Sequence, residues 1–307
     1  MQNELTLRKL RYFVGLAESG KGSQAAVDLN VSQSSITTAV RELEQQLGVR
    51  LFRRSAQGMQ LTLHGERFLR QAQRVLQAAA EALDLGPETP STVTGRLELA
   101  MSYTVAGYFF PPLLARFRRR YPEIEVRLHE APRLTIQAGL VDGVFGLAIV
   151  LTSNLGRQAS LDHHSLLRSR RRLWVGAHHP LLERDQVSLA EVAHHPYVML
   201  NVDEAEQTAM RYWVQAGLKP KTIFSTSSVE AVRSMVASGA GVAVLSDMVY
   251  RPWSLEGQRV EQIDLIDPVP DMEVGVAWAR ERELSGPAKA MRDLLVGAMH
   301  RGTDGRV

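Results

Sequence analysis

The 307-residue chain contains no cysteine. That excludes a disulfide framework, a thiolate nucleophile and a Cys-ligated zinc site. Long apolar runs are missing too: the stretches Gly143 to Leu151 and Gly239 to Leu245 are far too short to span a bilayer. Glu4, Arg8 and Lys9 interrupt the span that an apolar leader would occupy, so a cytoplasmic location without a membrane partner is expected. Catalytic signatures are equally scarce. There is no Gly-x-Ser-x-Gly elbow and no P-loop. Gly239-Ala240-Gly241-Val242-Ala243-Val244 opens like a dinucleotide fingerprint but lacks the third glycine and leads into a predicted strand. The pairs His163-His164, His178-His179 and His194-His195 have no metal-ligand spacing and read as loop histidines. Neither a metal nor a cofactor is expected.

With 45% hydrophobic residues, the length supports two to three domains. The net charge of +3 is unevenly placed. Residues 1–85 carry 11 Lys and Arg against 8 Asp and Glu, whereas the remainder carries 25 of each. The small excess coincides with the region that reads as a nucleic-acid contact.

In that region, Ala25-Ala26-Val27-Asp28-Leu29-Asn30-Val31-Ser32-Gln33 predicts two short helices meeting at a tight turn. The alanines permit close helix approach, Leu29 and Val31 pin the turn, and Ser32 is placed to cap the second helix. Ile36, Val40, Leu43 and Leu47 recur at spacings of four, three and four, forming one buried stripe. The opposite face is then Gln33, Ser34, Thr37, Thr38 and Arg41. These side chains suit a helix in the major groove, with Arg41 on phosphates and the others at base edges.

From Leu5 to Thr62 the chain resembles the N-terminal domain of the LysR-type transcriptional regulators. The resemblance rests on Leu7-Arg8-Lys9-Leu10-Arg11-Tyr12-Phe13, on Ala25-Ala26 through Gln33, on Arg41-Glu42-Leu43-Glu44 with Leu47-Gly48-Val49-Arg50-Leu51-Phe52-Arg53-Arg54, and on Gln60-Leu61-Thr62 before Gly65-Glu66. It implies a winged helix-turn-helix, with Arg53 and Arg54 in the wing as further phosphate contacts. Two positions depart from the family pattern. Gly22 stands where an aromatic is usual, predicting a looser start to the second helix, and Thr38 stands where an arginine is frequent. The family's base preference therefore does not carry over.

Residues 63–92 read as a linker helix and hinge, with Leu69, Ala72, Leu76, Ala79 and Leu83 alternating by three and four as an a/d seam. The resemblance favours pairing with the same helix of a second subunit over packing on the chain's own body. That implies a homodimer, and in this family a homotetramer, on two-fold double-stranded DNA. The stretch Leu85-Gly86-Pro87-Glu88-Thr89-Pro90-Ser91-Thr92 stops the helix.

Residues 93–300 alternate strands and helices, predicting parallel α/β sheets; residues 301–307 form a polar tail. One helix is predicted over Ala106 to Tyr121 and another over Asp203 to Ala216. Gly95-Arg96-Leu97-Glu98-Leu99, Pro112-Leu113-Leu114 and Val236 through Ala243 resemble the LysR-type effector domain. The implied fold is two periplasmic-binding-protein-like α/β lobes, with chain crossings expected near Ser160 to Arg168 and Asp267 to Asp271. Gly146, where the family commonly has Asp, predicts a local loop rearrangement.

Ligands of open α/β sheets sit at strand carboxyl ends. That points to Ser102 and Thr104 in the first lobe and to Asn201 and Ser227 in the second. Arg133 follows a predicted strand at a position the family uses for effector contact, and it suits an acid held bidentately. The expected effector is a small organic acid. The alternative from the residues alone is an enzyme or transport-type binding protein carrying a nucleic-acid-binding appendage.

Overall fold

The computed structural model describes residues 5–55, 58–83, 92–156, 160–184 and 186–303. The chain divides into two compact units between Glu88 and Thr89.

In the first unit, α1 (Leu7–Ser19), α2 (Gly22–Asp28) and α3 (Gln33–Leu47) are followed by the antiparallel strands β1 (Phe52–Ser55) and β2 (Gly58–Leu61), then by α4 (Leu63–Leu83). Capping residues set the helix starts: the Thr6 and Ser32 hydroxyls accept from the Lys9 and Ser35 N–H groups at 3.2 Å. The core is an aromatic cluster. Phe13 of α1 is fully buried, with ring centroids 5.3 Å from Phe52 and 4.9 Å from Phe68, so it joins α1, the wing and α4.

This packing accounts for part of the seam of α4 within the chain itself. Ala72 is buried in the same core, with Phe68, Leu69 and Leu76 against it, because Phe13 and the wing need an apolar cover. Three of the five predicted seam positions thus lie on the chain's own winged domain, while Val75 is exposed. The side chain of Leu83 lies outside the described residues.

The second unit opens with β3 (Gly95–Met101), α5 (Tyr103–Tyr108), α6 (Pro111–Arg120), β4 (Ile124–Glu130), α7 (Arg133–Asp142), β5 (Leu147–Leu151) and β6 (Leu161–Ser169). The second lobe follows with β7 (Arg171–Gly176), β8 (Gln186–Val187), α8 (Leu189–Val192), β9 (Pro196–Leu200), α9 (Ala205–Gln215), β10 (Lys221–Thr226), α10 (Val229–Ala237), β11 (Ala243–Ser246) and β12 (Val260–Leu265). The chain then returns to the first lobe as β13 (Met272–Ala279) and ends in α11 (Gly286–Thr303).

The sheets are mixed rather than parallel. In the order β4-β3-β5-β13-β6, β13 runs antiparallel to both neighbours, because it arrives from the second lobe rather than through a crossover helix. In the second lobe β7 is antiparallel to β11 and β12, while β9 pairs parallel with β10. The first crossing lies at Arg170, since Leu161–Ser169 is a paired strand. The second lies at 266–271, as predicted.

The helix predicted over Ala106 to Tyr121 is two helices. Pro111 and Pro112 have no N–H with which to continue α5, and they open α6 instead. Gly146 causes no rearrangement: its N–H donates to the Glu98 carbonyl at 2.9 Å and β5 starts at the next residue.

Candidate DNA-binding surface and effector site

The buried stripe of α3 is Ile36, Ala39, Val40 and Leu43; Leu47, predicted to continue it, is exposed at the helix end. That leaves Gln33, Ser34, Thr37, Thr38 and Arg41 exposed together on the other side, as the periodicity predicts. Two hydroxyls are locally engaged: Thr37 donates to the Gln33 carbonyl at 3.0 Å, and Ser34 meets Ser32 at 2.8 Å. Arg41 borders a groove with Glu44, Gln45 and Arg50, and has no ion-pair partner among the described residues. Glu44, missed as a positioning residue by the sequence reading, accepts the Leu51 and Phe52 N–H groups at 2.7 and 3.1 Å and ties α3 to the wing. Arg53 is exposed on β1, while the side chain of Arg54 lies outside the described residues.

Gly22 does not loosen α2, which begins at that residue. The space where a side chain would stand is taken by Gln33: a Cβ at Gly22 would lie 3.2 Å from Gln33 Nε2 and 3.3 Å from its Cγ. A departure that predicted a looser helix start is instead a seat for a side chain of the exposed face.

In the second unit, the sheet order places the ends of β4, β3 and β5 side by side. Ser102 and Thr152 are buried there, and neither hydroxyl has a hydrogen-bond partner among the described residues. Arg133, the first residue of α7, donates from Nη1 to Gln137 Oε1 at 3.1 Å. Its Nε lies 3.2 Å from Glu204 Oε1, an ion pair whose N–H is not aimed at the oxygen. The Thr104 N–H donates to Asp203 Oδ2 at 2.6 Å, and Asn154 Nδ2 donates to the Asp203 carbonyl at 2.8 Å. The two lobes therefore meet through two second-lobe carboxylates placed on first-lobe donors. A further tie is the Tyr108 hydroxyl, which donates to Glu230 at 2.8 Å; burial and that bond push its pKa up to about 12.

The backbone that delivers these carboxylates is unusual. Asp203 (φ 49°, ψ 43°) and Glu204 (φ 56°, ψ 25°) are consecutive left-handed residues, so α9 starts at Ala205 and not at the predicted Asp203. Asn201 and Ser227 do not join the cluster in the structure. Asn201 is exposed, its Nδ2 donating to Ser225 Oγ at 3.2 Å; Ser227 is exposed as well, and Ser228 caps α10. The acidic pair was visible in the sequence as Val202-Asp203-Glu204 after a predicted strand. Only its left-handed backbone was not.

The remaining motifs divide. Arg172 pairs with Asp264 at 2.9 Å within the second lobe, and Arg120 lies over the Tyr121 ring. The His179 and His195 rings lie 4.6 Å apart, tilted by 60°; burial lowers the His179 pKa and its neighbour adds to the shift. Among the described residues no cluster of His, Asp and Glu has a metal-binding arrangement, and no helix is long and apolar enough to cross a membrane.

Comparison with known proteins agrees with this geometry. Residues 7–66 match the family described as bacterial regulatory helix-turn-helix protein, lysR family, and residues 90–300 match the LysR substrate binding domain. The chain is 27% identical over 292 residues to a hydrogen peroxide-inducible genes activator of Pectobacterium carotovorum subsp. carotovorum, covering 95% of this chain and 96% of that one. It is likewise 27% identical over 305 residues to the DNA-binding transcriptional dual regulator OxyR of Escherichia coli, covering 98% and 97%. Among solved structures, HinK, a LysR family transcriptional regulator from Pseudomonas aeruginosa, is 30% identical, with a TM-score of 0.62 and coverage of 96% and 99%. Its polar-faced α3, wing and two-lobed second unit, together with these matches, show that the chain belongs to the LysR family of transcriptional regulators, proteins that bind DNA and small-molecule effectors and self-associate and that are not enzymes.

Proposed function

We propose that the chain reads a two-fold operator through Gln33, Ser34, Thr37 and Thr38, with Arg41, Arg53 and Arg54 on phosphates, and that a small organic acid held between the lobes changes how that DNA is bound. The polar face of α3, exposed as a block with Arg41 lacking an ion pair among the described residues, carries the first half. For the second half, the support is that Arg133 and the Thr104 N–H, both proposed as acid partners, are each held by a carboxylate of the chain itself. Ser102, buried beside them with an unused hydroxyl, supplies a further donor. Asn201 and Ser227, which stand apart from that cluster, are proposed to reach the acid only from the second lobe's surface. Residues 63–92 would carry dimerisation, through the part of α4 that its own winged domain leaves uncovered, and a homotetramer would follow from two such pairs. The place of action proposed is the cytoplasm, where the operator is.

The stimulus in the relatives' name is not part of this reading. Thiol-based peroxide sensing needs a low-pKa thiolate, and the chain has no cysteine.

Replacing Arg41 by alanine should weaken binding to all DNA sequences alike and reduce the slope of log affinity against log salt by about one. Operator and random duplex titrated at several salt concentrations test this. An effect confined to one operator position would make Arg41 a base reader instead.

A further inference from the structure

A second cavity, of about 390 Å³, lies where α9 turns towards the returning chain. Its walls include Arg171 at the start of β7, Arg211 and Tyr212 of α9, and Val269, Pro270 and Asp271 of the crossing segment. Two guanidinium groups therefore border one space. Arg171 donates to the Pro270 carbonyl; Arg211 donates to the Gln207 carbonyl at 3.3 Å and the Thr208 hydroxyl at 3.2 Å. All three acceptors are neutral. The carboxylate of Asp271 is held by Arg168 at 2.6 Å, and among the described residues neither Arg171 nor Arg211 has an ion-pair partner. Burial lowers the pKa of Arg171; the nearby charge of Asp271 opposes that shift, and the like charge of Arg211 adds to it more weakly. A partly buried cation beside another, with no carboxylate paired directly to either among the described residues, is costly to keep.

We propose that this cavity binds a small carboxylate with an apolar body. The carboxylate lies between Arg171 and Arg211, whose planar forks match its two oxygens, and the body packs on Val269, Pro270 and the Tyr212 ring. An anion there turns the repulsion between two cations into two attractions. The volume is near the lower end of ordinary small-molecule pockets, which limits the guest to a few carbons beyond the acid group. Neither Arg133 nor Glu204 lines this cavity, but Asn154 in its wall donates to the Asp203 carbonyl, so it adjoins the acid site between the strand ends while using different cations.

The test is calorimetric titration of the full chain with cyclohexanecarboxylate, using cyclohexanecarboxamide as the uncharged control. Arg211 is exposed, so Arg211→Gln removes the charge without disturbing the core. Wild type and Arg133→Ala should bind the acid equally, Arg211→Gln should bind it ten- to a hundredfold more weakly, and the amide should not bind. Binding unchanged by Arg211→Gln, binding lost only in Arg133→Ala, or no binding of the acid to wild type would each overturn the proposal. The second of these outcomes would leave the cleft reading intact.

Discussion

Replacing Gly65 by alanine should unfold the DNA-binding unit at a temperature about 8–16 °C lower while leaving the effector unit unchanged. The single added carbon would stand 2.1 Å from the Leu51 carbonyl oxygen and 2.9 Å from Leu61 Cδ2. Neither side can yield. Leu51 is fixed by its N–H to Glu44 and by its carbonyl, which accepts the Thr62 N–H at 2.9 Å; the Thr62 hydroxyl is held in turn by the Arg50 carbonyl at 2.7 Å. Overpacking against backbone costs about 3 kcal/mol, the upper end of the usual range. Alanine's better helix propensity returns only ~1 kcal/mol. The four tryptophans, Trp174, Trp213, Trp253 and Trp278, all lie after Thr89, so fluorescence follows the effector unit alone while far-ultraviolet circular dichroism follows both units. A lowered dichroism transition with an unmoved fluorescence transition is the expected pattern. Two unmoved transitions would mean that the junction of wing and linker helix is not rigid.

The second large effect concerns the carboxylates lodged between the lobes. An organic acid reaching Arg133 must displace Glu204, a competitor already tethered in place. Glu204→Gln should therefore tighten acid binding by about tenfold, a figure kept small because the ion pair is about a quarter exposed and partly screened. Arg133→Ala should weaken binding roughly ten- to a hundredfold, as expected for a lost charge-assisted contact. Thermal-shift titrations with a panel of organic acids separate the cases. The order should be Glu204→Gln tightest, wild type next and Arg133→Ala weakest; equal affinities for all three would remove Arg133 from the site.

The DNA-binding unit was legible almost residue by residue, because its determinants are local: a capping serine, a stripe at helical spacing and the turn between α2 and α3. The site between the lobes was legible only in part. Ser102, Thr104 and Arg133 sit at strand ends that a simple alternation of elements predicts. Asp203 and Glu204 reach them through a left-handed pair, a conformation that an aspartate signals only weakly and a glutamate not at all. Sheet direction was misjudged for a related reason: alternation implies parallel strands, but β13 comes back from the other lobe across some hundred residues. The seam of α4 illustrates ambiguity rather than distance. One apolar stripe serves either a partner helix or the chain's own Phe13, and spacing alone does not choose between them.

Selection of bound fragments from random duplex DNA, carried out with wild type and with Gln33→Ala, tests the central claim that the exposed face of α3 reads sequence. Wild type should recover a two-fold motif, and Gln33→Ala should keep that motif while relaxing one base pair in each half-site, at a cost of about 1–3 kcal/mol for the preferred base. Recovery of the same motif by both proteins with unchanged preference at every position would contradict the account.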